Sequence, residues 1–402
     1  MNRHYLLLSL VWVLGQAPVH AQTAVIHDPT PAGQRITQAQ AALDKNPQRH
    51  EAYAQLAMAL AQRARESSDT AYYAQAENAI AQSFKLSPGN LEARRVEIWV
   101  MLGRHEFAAA LEAAQALNKH IPDDVQTYGY LTDAYIELGR YADAERAAQW
   151  MLDLRPGNIP GLTRAAYLRE LFGDISGSLD LMEQAYQRTP PSEREDRAWL
   201  LTQMAHLQLL GKQPGHADAL LAEAMQQFPD YHYALAQLAK VRQMQGRHAE
   251  ALVLLRRHVA GAPHAENLFY LGEALQQQGR KREAAQVFRQ FEAAARAERM
   301  SWDNANRELI AYYADYARRP AEALALAEAE MARRQDIYTL DAYAWALYRN
   351  GKFRQAQKMI DRALAVGTLE PTLHYHADRI AAKNGATPEH VRRRARQNLG
   401  RL

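Results

Sequence analysis

The chain reads as an all-α solenoid, a superhelix of stacked helical hairpins, and three observations lead there. Proline falls at 88, 122, 156 and 190, always 34 residues apart, and the same interval returns between Pro229 and Pro263. Between Pro122 and Pro156 the sequence divides at Gly139 into two amphipathic halves, each of helix length. At 402 residues the chain is also far longer than one ordinary core sustains, yet natural for a stack in which each unit buries its neighbour.

Counting from the third residue after Pro122, large apolar residues stand at position 4 (Tyr128), 7 (Leu131), 11 (Tyr135) and 17 (Tyr141), with Gly139 at 15, Ala144 at 20 and Pro156 at 32. Positions 4, 7 and 11 share one helical face, small residues let two backbones approach, and glycine accepts the positive φ of a helix C-terminus. Proline at 32 stops the second helix. The pattern resembles the tetratricopeptide repeat (TPR), a 34-residue helix-turn-helix unit. The resemblance covers about residues 34–399 and implies a right-handed superhelix of roughly nine to ten units. It specifies fold sharply and function weakly.

Taken in order, residues 1–21 carry Arg3, an apolar stretch from Tyr5 to Gly15 and a small-residue site at Val19-His20-Ala21, which reads as a cleavable secretory signal peptide. Residues 22–33 read as a flexible leader. An N-terminal array of repeats is expected over 34–190, beginning with a lone capping helix from Gln34 to Lys45. Pro47 to Pro88 spans seven residues more than one unit, and the surplus falls near ARESSDTAYY, at the turn between the two helices of a hairpin. The first helix of the unit ending at Pro122 is degenerate, with Arg94 at position 4. Residues 191–197, overlapping PPSERED (190–196), break the rhythm by five and read as a charged, exposed linker or hinge. The C-terminal array, 198–402, includes a weak unit around Ile310 and Ala323, and a strong one with Leu340, Ala344, Leu347, Gly351, Phe353, Ala356, Ile360 and Ala363 in register. It closes on a basic capping helix opened by Thr387-Pro388-Glu389.

Composition narrows the function. Cysteine is absent, which removes disulfides, thiol catalysis, zinc-thiolate sites and a lipoprotein anchor. With a cleaved signal the expected location is the periplasm or the outside, with no stable membrane insertion afterwards. The formal charge of +3 does not suggest nucleic-acid binding. No GxSxG, GxxxxGK[ST], HExxH or GxGxxG occurs, so neither an enzyme nor a cofactor site is expected. His374 and His376 lie two apart and diverge by about 200° on a helix, which argues against a shared metal.

The sharper signal follows from the resemblance, which implies that helix A of each unit lines the concave wall, with positions 2, 5, 9, 12 and 13 pointing into it. In the last four units those positions hold Phe269 and Glu273, then Glu308, Tyr312, Asp315 and Tyr316. Next come Tyr338, Asp341, Trp345, Tyr348 and Arg349, and finally Tyr375 and Arg379. Seven of the thirteen are aromatic against 8% in the whole chain. Such a wall suits an extended protein or peptide, since aromatics bury much area at little entropic cost. Core packing against neighbouring helices is the competing fate of the same side chains. The expectation is a non-enzymatic scaffold or adaptor; the alternative is a carbohydrate or peptidoglycan binder using the same stripe. Position 9 lacks the asparagine of family members that grip a C-terminal carboxylate, so chaperone-tail recognition is not implied.

Overall fold

The computed structural model describes residues 30–299 and 304–385, and the signal-peptide segment and the basic final helix lie outside them. Within them lies a right-handed solenoid of TPR-like hairpins, with no strand among the described residues. Helix α1 (Pro31–Lys45) comes first, starting inside the stretch read as a leader because Thr30 caps it and Pro31 opens it. Hairpins follow as α2 (His50–Ser67) with α3 (Ala71–Leu86), α4 (Leu91–Gly103) with α5 (Phe107–His120), and α6 (Val125–Glu137) with α7 (Tyr141–Leu154). Next are α8 (Ile159–Leu171) with α9 (Ile175–Arg188), α10 (Arg194–Leu210) with α11 (Pro214–Gln227), and α12 (His232–Met244) with α13 (His248–Gly261). The last are α14 (Ala265–Gln277) with α15 (Lys281–Glu298), α16 (Asn306–Ala311) continued by a π-helical turn (Tyr312–Tyr316) with α17 (Pro320–Arg333), and α18 (Ile337–Arg349) with α19 (Phe353–Leu364), before a final α20 (Pro371–Lys383).

The periodic residues do what their spacing requires. The residue before each of Pro88, Pro122, Pro156, Pro229 and Pro263 is the extended C-cap of a second helix, as a following proline demands. Asn90, Asp124, Asn158 and Asp336 then cap the next helix with a side-chain oxygen. The small residues expected at close helix contacts, among them Ala166, Ala205, Ala217, Ala344 and Ala356, are fully buried.

Three expectations change. The surplus of seven residues before Pro88 is not a loop insertion: α2 has 18 residues and α3 has 16, against 13 and 14 in α4 and α5. Both helices have grown at the turn, so the extra backbone satisfies its own hydrogen bonds. Residues 194–197 are likewise not an exposed linker but the first turn of the 17-residue α10, where Glu195 is 1% exposed. Buried residues from α8 to α12 form one apolar cluster across this place. Finally α4 is a regular helix, because Val96 and Val100 pack towards α2 and α3 while Ile98 and Leu102 pack towards α5 and α6, a two-sided burial that one amphipathic stripe does not describe.

The solenoid coils tightly enough for one superhelical turn to rest on the next. His264 donates to the Ser68 carbonyl and the Ile337 amide donates to the Tyr141 hydroxyl, each pair 196 residues apart. The Gln335 amide donates to the Glu137 carbonyl at 2.8 Å, and Arg334 pairs with the Glu137 carboxylate. At 34 residues a unit, a turn closes after just under six units. The turn inside each early hairpin thus meets a loop between later ones.

Candidate functional site

The first helix of each hairpin faces the inside of the coil, and the thirteen wall residues divide there by burial. Phe269, Tyr312, Asp341 and Trp345 are buried. Phe269 packs on Phe291 and Phe288, and Tyr312 on the same two rings. Trp345, 6% exposed, stacks on His376 at 4.1 Å and donates its Nε1 hydrogen to Asp315 at 2.9 Å. Asp341 accepts from His376 Nδ1 at 2.8 Å. These four form the packing beneath the wall, not its open face.

Tyr375, at 56% exposure, and Asp315, Arg349 and Arg379 stand open, while Glu273, Glu308, Tyr316, Tyr338 and Tyr348 are half-buried. The π-helical turn matters here. Its extra residue per turn brings Tyr316 round to donate to Glu273 at 2.8 Å and sets Asp315 between Trp345 and Arg349. Burial, together with the Asp315 and Glu308 carboxylates, pushes Glu273 up to about 7.

The interior extends beyond the four units to which the sequence reading was confined. Tyr233 and Tyr270 are 40% and 42% exposed on the same side, and Tyr270 donates to Glu308 at 3.2 Å. The Glu308 carboxylate, then burial, raises the Tyr270 phenol well above its ordinary value. Lys240 is exposed to water, yet burial pushes its ammonium down against the pull of Glu370 and Glu266. Tyr167 is raised in the same way, by burial and then by Tyr338 and Glu137 from other hairpins. Arg307 lies over the Tyr338 ring at 5.7 Å and 3.6 Å from Asp336. Position 9 held Tyr167 and Lys240 in plain view in the sequence. What was missing was the coiling that brings them opposite the later units.

His374 donates to the Thr368 carbonyl while His376 turns to Asp341, and no group of metal-ligating side chains gathers among the described residues. A shallow hollow of about 290 Å³ between α1 and α3, floored by Leu56 and Leu60, lies away from the aromatic wall. Among the described residues no helix is long and apolar enough to cross a membrane.

Fold and wall together define an α-solenoid of TPR-like hairpins whose first helices carry aromatic and charged side chains. No protein-family model and no curated protein sequence matches the chain. Among solved structures, a monomeric mutant of IFIT1 with m7Gppp-AAAA is similar at TM-score 0.51 and 14% identity, covering 82% of this chain and 76% of that one. A human IFIT1 dimer with PPP-AAAA is similar at 0.50 and 13%, covering 86% and 91%. The Cut9–Hcn1 structure of the APC/C is similar at 0.49 and 13%, where 88% of this chain spans only 60% of that one. At such identities the likeness is one of fold.

Proposed function

We propose that this chain is a non-enzymatic scaffold that holds an extended protein or peptide segment along the inside of its coil. The observation that carries the reading is the set of exposed Tyr233, Tyr270 and Tyr375 on the first helices α12, α14 and α20, with Lys240, Glu273, Glu308 and Arg379 on α12, α14, α16 and α20. Large amphipathic rings held on rigid helices bury area at little entropic cost, and charged groups beside them set register. The concave wall of a solenoid is a long surface along which an extended segment can lie.

In this reading a cleaved signal peptide at 1–21 delivers the scaffold to the periplasm or the outside, where it serves an envelope assembly, export or maturation system. The likeness to IFIT1 carrying PPP-AAAA is one of fold, and a protein segment is preferred because Glu273, Glu308 and Asp315 stand among Lys240, Arg349 and Arg379, a mixed-charge wall and not the uniformly basic track that follows a phosphate backbone. A carbohydrate strand is the second reading, favoured by the Tyr270–Glu308 and Tyr316–Glu273 pairs, whose hydroxyls and carboxylates also suit sugar hydroxyls.

Crosslinking and mass spectrometry on the tagged native chain test the proposal. The expected result is a protein partner crosslinked near Tyr270 and Tyr375 that is lost in the Tyr270→Ala, Tyr375→Ala double variant. Protection of the same tyrosines by soluble peptidoglycan fragments alone would move the assignment to the second reading.

A further inference from the structure

The seam between superhelical turns is built differently at its two ends. Where α6–α9 meet α17–α20, an apolar cluster runs from Ile136 and Leu171 to Ile337 and Leu373, beneath the Arg334–Glu137 pair. A carbon added to Gly173 would lie 2.6 Å from the Gly367 carbonyl, so the backbones there touch. Where α1–α3 meet α10–α14, no apolar cluster crosses. Among the described residues, Ala57, Leu60 and Ile80 of α2 and α3 cluster with Val96 and Val100 of α4, and that cluster holds no residue of α10–α15.

What crosses instead is polar. Arg35 pairs with Glu193 at 2.6 Å, and Arg65 pairs with both Glu195 and Asp196. On the α10–α14 side, Tyr231 donates to Glu195 and holds it towards Arg65. His232 and His264 donate to the Arg65 and Ser68 carbonyls, the exposed acceptors at the C-terminal end of α2. Charged pairs of this kind fix geometry but add little net stability, because desolvation offsets their attraction; salt weakens the partly exposed Arg35–Glu193 and Arg65–Asp196 pairs and screens the buried Glu195 less. Apolar contact has no such weakness.

We propose that α1–α3 form a releasable gate, which parts from α10–α14 while the α6–α9 to α17–α20 end of the seam stays shut. Parting opens a slot in the side of the coil next to Glu195, His232 and His264, through which a strand enters sideways instead of threading from an end. The gate stands on the seam's geometry; that a partner segment is what passes it rests on the function proposed above.

The absence of cysteine permits a direct test on the full chain. Spin labels at Asp69→Cys and Pro263→Cys straddle the gate, and labels at Arg140→Cys and Gln335→Cys straddle the closed end. Distances are measured in the parent sequence at low salt, in the parent at 1 M NaCl (a salt level at which charges are screened beyond about 3 Å), and in Arg65→Met, Glu195→Gln, Asp196→Asn, which removes the charges together and strands none. The expected result is one short distance for both pairs at low salt. In high salt and in the variant, the gate pair alone should gain a population longer by about 10 Å, one helix diameter. A gate distance that stays short in both conditions overturns the proposal, as does lengthening of both pairs together. If the variant loses helicity by circular dichroism, the parent in high salt decides. No partner is needed, so a negative result here leaves the binding proposal standing and a negative crosslink leaves the gate standing.

Discussion

Trp345 and Tyr375 are both aromatic and both fall at concave-wall positions, yet one is buried and the other open. Trp345→Ala should therefore cost about 3–5 kcal/mol in urea unfolding, the range for emptying a large buried ring, and it tests folding rather than binding. Tyr375→Ala should change stability by no more than about 0.5 kcal/mol, as exposed substitutions do. The sequence could not separate them, because one residue of register turns a side chain by about 100° and the π-helical turn adds such a step at Tyr312–Tyr316. Glu273 offers a test of the interior's polarity. Its folded value of about 7 lies above the ordinary 4.5, so the folded chain keeps a proton that the unfolded chain has released. Its contribution to stability is full below pH 4.5 and is lost as pH rises through 7. Glu273→Gln, which cannot ionise, should melt like the parent at pH 4.5 and higher than the parent at pH 8; equal melting at pH 8 contradicts the burial of this carboxyl.

At the scale of elements, hairpin boundaries were legible because proline, glycine and capping residues act locally. Gly139 and Gly246 were both expected at the turn inside a hairpin, and both take positive φ, +71° and +73°. What distinguishes them is invisible locally: a Cβ on Gly139 would lie 2.7 Å from the Gln335 carbonyl, whereas one on Gly246 meets nothing within 4 Å. Gly246→Ala should cost only the left-handed strain, about 1–2 kcal/mol, while Gly139→Ala should cost clearly more and loosen the closed end of the seam. Equal costs in parallel urea titrations would deny the contact. The two irregular spacings were seen in the sequence but misplaced. Counting residues between prolines detects seven extra or five extra, and cannot say whether they lengthen a loop or, as in α2, α3 and α10, a helix. Ala356, which was in register and is fully buried between α18 and α19, shows the legible side: Ala356→Trp should cost about 1–3 kcal/mol by overpacking, read from the same titrations.

For the whole molecule, the stack of hairpins makes the superhelix that the sequence predicts, wound tightly enough that its second turn sits on its first. Solution scattering should give a compact, short cylinder at low salt; an extended curved rod there would show that the seam does not form. The contact between turns escaped the sequence because superhelical pitch is the sum of many small rotations between neighbours, and Arg65, Glu137, Arg334 and His264 look like ordinary surface residues until a partner 130 to 197 positions away arrives. The 196-residue spacing of those partners also restricts how such a chain can evolve. Open solenoids gain or lose a repeat anywhere and merely grow or shrink. Here, one hairpin duplicated between α9 and α14 would slide every later loop by a whole unit, setting Gly139 against a stranger and leaving Glu137 without its arginine. Repeat number is therefore locked between the points that meet, and free to drift only beyond them.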